Sequence, residues 1–223
     1  ILESTSRLLK HYPKQGFEYE PVVIGKTEHP VSETVVVEKP FCNLLRFRRE
    51  GLPEDAPKVL CVAALSGHHA TLARETYREF LKDHEVYVTD WLDARDVPLS
   101  EGKFGFEGYT SYLIDFMEHL GPNNHVFAIC QAAVPALTAV CHMSRENNIC
   151  RPKTLTMMAG PIDIRINPNA FTKQVYKMSA KFLERVAIHK VPSRYKGAGR
   201  LVYPGTMQLG GFMSMNVKSH MEK

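Results

Sequence analysis

The stretch His125-Val126-Phe127-Ala128-Ile129-Cys130-Gln131-Ala132-Ala133-Val134-Pro135 decides how the rest of the chain is read. A buried-strand pattern runs without a break into a residue capable of nucleophilic attack; small residues follow, and then a helical period begins. That order belongs to a nucleophile elbow, usually written GxSxG, in which a tight strand-to-helix turn lifts one side chain clear of the backbone. The turn brings backbones close, so the positions two before and two after the nucleophile must be small. Here they are Ala128 and Ala132 in place of glycines. A helix N-terminus carries partial positive charge and favours a thiolate, which would activate Cys130. The competing reading is a small buried cysteine at a strand end.

Working outward, Val59-Leu60-Cys61-Val62-Ala63-Ala64 is a continuous apolar run, the pattern of a strand covered on both faces. Residues 85–90, 125–129 and 154–159 supply three more strands, and residues 71–82, 109–120 and 134–144 carry apolar side chains at helical spacing between them. This alternation predicts an α/β fold with a mostly parallel sheet and right-handed crossovers. In such sheets, sites lie beyond the carboxyl ends of the strands. Thr34-Val35-Val36-Val37 and Leu44-Leu45-Arg46-Phe47-Arg48, with a turn around Lys39-Pro40-Phe41, predict an antiparallel hairpin in front of the sheet. Residues 1–33, punctuated by Pro13, Gly16, Pro21, Gly25 and Pro30, read as an irregular arm. Residues 34–163 read as the core. After Pro161 the alternation fails: residues 164–223 hold one helical stretch over 172–187 and a Gly- and Met-rich part over 197–216, and read as a cap or insertion.

The 223 residues, 44% hydrophobic and 23% charged, suit a globular domain and exclude a collagen, a coiled coil or a disordered tail. The net charge of +4, from 28 basic and 24 acidic residues, reads as spread along the chain, and no nucleic-acid partner is expected. No apolar run approaches the roughly 18–20 residues of a membrane span. Cys42, Cys61, Cys130, Cys141 and Cys150 form no CxxC pair or zinc-like spacing, so free thiols in a reducing cytosol and no metal are expected. The opening on Ile1, and the stop at Lys223 directly after an apolar stretch, read as a piece of a longer protein.

Leu65-Ser66-Gly67-His68-His69-Ala70-Thr71 follows the first parallel strand. In an α/β-hydrolase this loop gives one backbone N–H of an oxyanion hole, and the residue after the nucleophile, here Gln131, gives the other. Gly67 would let the backbone approach a reacting carbonyl. Ser66 is an alternative nucleophile without an elbow, and His68-His69 is a metal-ligand pair without partners at suitable spacing. Asp90, Asp93 and Asp163 follow strands, where aspartates usually cap turns; Asp163 also stands where a triad acid could.

At these residues the sequence resembles the intracellular polyhydroxyalkanoate (poly-3-hydroxybutyrate) depolymerases. The resemblance rests on Lys39-Pro40-Phe41-Cys42-Asn43-Leu44-Leu45, Leu65-Ser66-Gly67-His68-His69-Ala70-Thr71-Leu72, Val88-Thr89-Asp90-Trp91-Leu92-Asp93-Ala94-Arg95 and Cys130-Gln131 with Val134-Pro135. It continues through Gly160-Pro161-Ile162-Asp163-Ile164-Arg165 and Tyr203-Pro204-Gly205 to Gly211-Phe212-Met213-Ser214-Met215-Asn216, nearly the whole chain. It implies an α/β-hydrolase fold, incomplete at its C-terminus and holding the start of a cap. The implied activity is hydrolysis of stored polyester at a cytoplasmic granule, without cofactor. Cys130 would form a thioester, with Gln131, Gly67 and His68 holding the oxyanion. Ala132 stands where many relatives are expected to carry proline.

The resemblance also implies a triad acid and histidine beyond Lys223, and so an isolated chain that is inactive or nearly so. His142, twelve residues after Cys130 on one helix, is about 18 Å along its axis and cannot serve as base. Cys130, Asp163 and His220 do stand in triad order. Two other readings keep the fold: a polyhydroxyalkanoate synthase-like acyltransferase, whose elbow normally keeps flanking glycines, and a non-catalytic granule-binding protein. Residues 203–216, with Met207, Leu209, Phe212, Met213 and Met215, suit a cap over a polyester chain or a granule surface, and equally a face packed into further parts of the fold.

Overall fold

The computed structural model describes residues 14–65, 69–168 and 170–214. Part of the expected irregular arm is ordered: β1 (Val22–Ile24) and β2 (Thr27–His29) form a hairpin with Ile24 opposite Thr27. Gly25 turns it at φ +64°, the left-handed conformation that a two-residue hairpin turn demands and glycine supplies without strain. Polar Lys26 and Glu28 hide the alternation by which a strand is read.

β3 (Val31–Lys39) and β4 (Cys42–Arg49) are the expected hairpin, turning at Pro40-Phe41. They begin a six-stranded sheet completed by β5 (Lys58–Val62), β6 (Glu85–Trp91), β7 (Asn124–Ile129) and β8 (Thr154–Met158) in the order β3-β4-β6-β5-β7-β8. The β3–β4 and β4–β6 pairs are antiparallel; β6, β5, β7 and β8 run parallel. This is an α/β-hydrolase fold, a mostly parallel sheet fronted by an antiparallel hairpin. β5 is buried at all but its first residue, which explains its apolar run, and β6 is buried at every residue, Glu85, Thr89 and Asp90 included. β8, at the sheet's edge, leaves Met157 and Met158 exposed.

The helices α1 (Arg74–Phe80), α2 (Phe106–Leu120) and α3 (Ala133–Arg145) fall where the apolar spacing placed them. α2 buries Tyr109, Leu113, Phe116, Met117 and Leu120, and packs against α3, which buries Ala136, Ala139 and Met143. Register positions the loops. Val62 pairs with Ala128 and Ile129 with Met158, so residues 63–65 and 159–160 flank residues 129–131 at the carboxyl end of the sheet.

The single helix expected over 172–187 is two: α4 (Ala170–Val175) and α5 (Ala180–Ala187). Ser179 makes the break. Its backbone is extended, and its hydroxyl accepts the N–H of Phe182 at 3.2 Å, so it caps a new helix. β9 (His189–Lys190) and β10 (Leu201–Val202) then pair, and α6 (Gly205–Ser214) follows. The connection between β9 and β10 is pinned to the loop after β6. The buried Arg200 guanidinium donates to the carbonyls of Val97, Pro98 and Gly102, and the Gly197 N–H donates to Arg95 at 2.7 Å. A Cβ on Gly197 would come within 2.8 Å of three carbonyl oxygens there, so only glycine permits this approach.

Candidate active site

Cys130 begins directly where β7 ends. Ile129 is still extended; Cys130 has φ +56°, and a short 3-10 turn, Cys130–Ala132, leads into α3. A non-glycine residue in the left-handed region is strained, and here it makes the tight turn from strand to helix. Ala128 and Ala132 are both fully buried, as the close approach of strand and helix requires. On the far side stands Gly160: a Cβ there would lie 2.2 Å from the Ala133 Cβ and 3.2 Å from the Cys130 carbonyl oxygen. The Cys130 side chain is exposed, so the buried-cysteine reading does not hold. Cys42 and Cys61, by contrast, are buried, and burial pushes both thiols up.

Gln131 is exposed, and its side chain does what the sequence did not announce. Gln131 Oε1 accepts the N–H of Leu65 at 2.9 Å, joining the elbow to the loop after β5. Two residues earlier, Ala63 is held by three side chains: its N–H donates to Thr89 Oγ1 at 2.9 Å, and its carbonyl accepts Trp91 Nε1 at 2.8 Å and Tyr109 Oη at 3.0 Å. Burial pushes the Tyr109 phenol well above its ordinary range, which keeps it a donor. The stem of the loop is thus fixed from both sides. Ser66, Gly67 and His68 lie outside the described residues, as does His220.

A cleft of about 520 Å³ starts at Gly160, beside the elbow, and is lined by Pro161, Ile162, Ile164, Ile166 and Pro168 with Asp163 and Asn167. Residues 159–223 match the family described as PHB de-polymerase C-terminus. That segment is similar to this depolymerase family. Among solved structures, a membrane phospholipase A described as a bacterial virulence factor is 9% identical, with a TM-score of 0.49 over 86% of this chain and 61% of its own. Naproxen esterase from Bacillus subtilis is 14% identical, with a TM-score of 0.42 over 84% and 62%. Esterase B from Lactobacillus rhamnosis is 12% identical, with a TM-score of 0.45 over 70% and 57%. The chain therefore spans less than two thirds of these proteins. No curated protein is significantly similar to it.

The matched segment opens with Ala159-Gly160, beside the elbow, and includes every residue that lines the cleft. Asp163, within it, is tied to its own loop. The Arg165 side chain, forked on both carboxylate oxygens at 2.8 Å, and the Arg165 N–H hold its carboxyl below the usual range. Among the described residues no histidine hydrogen-bonds to Cys130 or Asp163: His142 contacts Arg145, and His189 contacts the Val186 carbonyl. No group of three potential metal ligands occurs among the described residues. Among the described residues no helix is long and apolar enough to cross a membrane.

Proposed function

We propose that the chain carries the nucleophile of a polyester hydrolase acting on poly(3-hydroxybutyrate) or a related polyhydroxyalkanoate, at the granule surface in the cytoplasm. The observation that carries this reading is Cys130: exposed, left-handed at φ +56°, and set between β7 and α3 beside an apolar cleft. The Cys130 thiolate attacks the ester carbonyl carbon, and the carbonyl π electrons move to oxygen. Backbone N–H groups of Gln131 and of the Gly67-His68 loop hold that oxyanion. Collapse breaks the C–O bond; the alcohol end of the polymer leaves as an alkoxide that takes a proton from solvent water, and a hydroxyacyl thioester remains on sulfur. Water then attacks the thioester, releasing a carboxylic acid and the thiol.

The cleft suits the acyl chain. Ile162, Ile164 and Ile166 give aliphatic surface for methyl-branched units, and Asn167 and Asp163 add polar groups beside it. In this reading residues 34–163 are the hydrolase core and residues 164–223 begin the cap.

Acylation needs only a thiolate, which thiols form without help above pH about 8.5. The test is incubation with p-nitrophenyl 3-hydroxybutyrate at pH 9, followed by peptide mass spectrometry. One hydroxyacyl group on Cys130, absent in Cys130→Ala, is the expected result. The exposed Cys141 is the internal control: acylation of Cys141 at the same rate as Cys130 overturns the reading.

A further inference from the structure

The charge of the chain is not evenly distributed. Residues 170–202 hold eight basic residues and one acidic residue, Glu184, a charge of +7 against −3 for all the rest. One of the eight, Arg200, is buried on backbone carbonyls. The other seven, Lys173, Lys177, Lys181, Arg185, Lys190, Arg194 and Lys196, are exposed, and none pairs with a carboxylate among the described residues.

Exposed apolar side chains lie among them. On α5, Phe182 and Val186 stand one turn apart, 51% and 41% exposed; Lys181 and Arg185 stand one turn apart beside them. Tyr176 and Met178, 53% and 43% exposed, stand in the segment between α4 and α5. An apolar face flanked by lysine and arginine is how a helix lies in a lipid interface: the rings and methyls enter the acyl boundary, and the cations meet headgroup phosphates. A purely polyanionic partner would account for the cations and leave Phe182 and Val186 without a role.

We propose that α4 and α5 form a docking surface for an anionic lipid interface. This surface is independent of the Cys130 chemistry. It requires a partner that offers negative charge and an apolar layer together, and an anionic phospholipid film offers both.

The test is co-sedimentation of the 223-residue chain with phosphatidylglycerol-containing vesicles and with pure phosphatidylcholine vesicles. Binding to the first and not the second is expected. Lys177→Gln with Lys181→Gln and Arg185→Gln should weaken it about a hundredfold, at about 1 kcal/mol for each cation near an anionic surface. These side chains are exposed, so the fold should survive, which circular dichroism checks. A Phe182→Trp variant reads insertion directly, and its emission should shift to the blue with anionic vesicles only. Equal binding to both vesicle types, or binding unchanged in the triple variant, overturns the proposal. So does displacement of the chain from vesicles by duplex DNA at equal phosphate, or a dimer in sedimentation equilibrium that Phe182→Ser dissolves. The first of those outcomes assigns the surface to nucleic acid, and the second to another copy of the chain.

Discussion

Gln131 Oε1 and the Leu65 N–H, 66 positions apart in sequence, are hydrogen-bonded at 2.9 Å across the top of the sheet. The residue that follows the exposed thiol therefore sets the position of the loop stem after β5. Gln131→Leu removes the acceptor and leaves an N–H unpaired, at a cost of about 1 kcal/mol in stability. If Gln131 positions the oxyanion loop, the acylation rate of Cys130 falls further than stability does, by about tenfold. Gln131→Glu keeps an acceptor oxygen and should restore most of the rate, which a merely space-filling role would not predict. Stopped-flow release of p-nitrophenol from the three proteins measures it.

The elbow stores strain at Cys130. An L-residue held at φ +56° costs about 1–2 kcal/mol relative to glycine at the same place. Cys130→Ala retains the strain without the sulfur, whereas Cys130→Gly relieves it. The glycine variant should thus be about 1 kcal/mol more stable than the alanine variant by urea denaturation, with neither acylated. Equal stabilities would mean that the left-handed conformation is not imposed by the turn.

Gly160 has the opposite requirement. An added Cβ meets the Ala133 Cβ at 2.2 Å, a distance that no side-chain rotation can relieve because both atoms are fixed to the backbone. Gly160→Ala should lose about 2 kcal/mol and slow acylation by displacing α3 from the elbow. Adding Ala133→Gly opens the space. Its own helix cost is about 1 kcal/mol, but the pair should recover part of the loss, so the two substitutions are non-additive. Urea midpoints of the four proteins in the cycle test this.

The strands and the elbow were legible because each depends on neighbours in sequence. Apolar runs give β5 and β7, and Ala128-Ile129-Cys130-Gln131-Ala132 announces the turn. What escaped depends on distant partners. Nothing local marks the Gln131 amide as the acceptor for Leu65, or Tyr109 and Trp91 as donors to one carbonyl. The helix break at Ser179 was hidden by apolar residues that continue on both sides of it. The total of +4 concealed a region at +7, since averaging over the chain cancels a local excess.

Glu85 gives the fold a pH dependence. It is buried at the start of β6, where Arg46 Nε donates to Oε1 at 2.7 Å, Arg48 to the same oxygen at 3.0 Å and Tyr87 Oη to Oε2 at 3.1 Å. Burial by itself would raise the carboxyl; the Arg46 bonds and charge, with Arg48 and Tyr87, outweigh it and hold the group below its ordinary 4.5. The stabilisation is therefore whole above that value and is lost as pH falls below it through the lower folded value. Glu85→Gln should cost about 1–3 kcal/mol near neutral pH, the partly exposed arginines keeping it under the full cost of breaking a buried pair. The gap between wild type and variant should close as pH falls below about 4.5, as chemical denaturation at each pH will show.

The Ala63 carbonyl offers the sharpest test of how the loop stem is held. An amide oxygen has two lone pairs, and Trp91 Nε1 and Tyr109 Oη occupy them from opposite elements, β6 and α2. With Tyr109→Phe the carbonyl still has the indole, so the loss should stay near 1 kcal/mol. With Trp91→Phe it still has the phenol, and the further loss is the ring contact that Trp91 makes with Tyr109 at 4.4 Å between centroids. Together the substitutions leave a buried acceptor without a donor, which adds about 1–3 kcal/mol beyond the sum of the singles. Loss of both donors also frees the chain just ahead of Leu65, so Cys130 acylation should fall in the double variant far more than in either single one. An additive cycle in both stability and rate would show that the two donors only pack, and that Gln131 alone positions the loop.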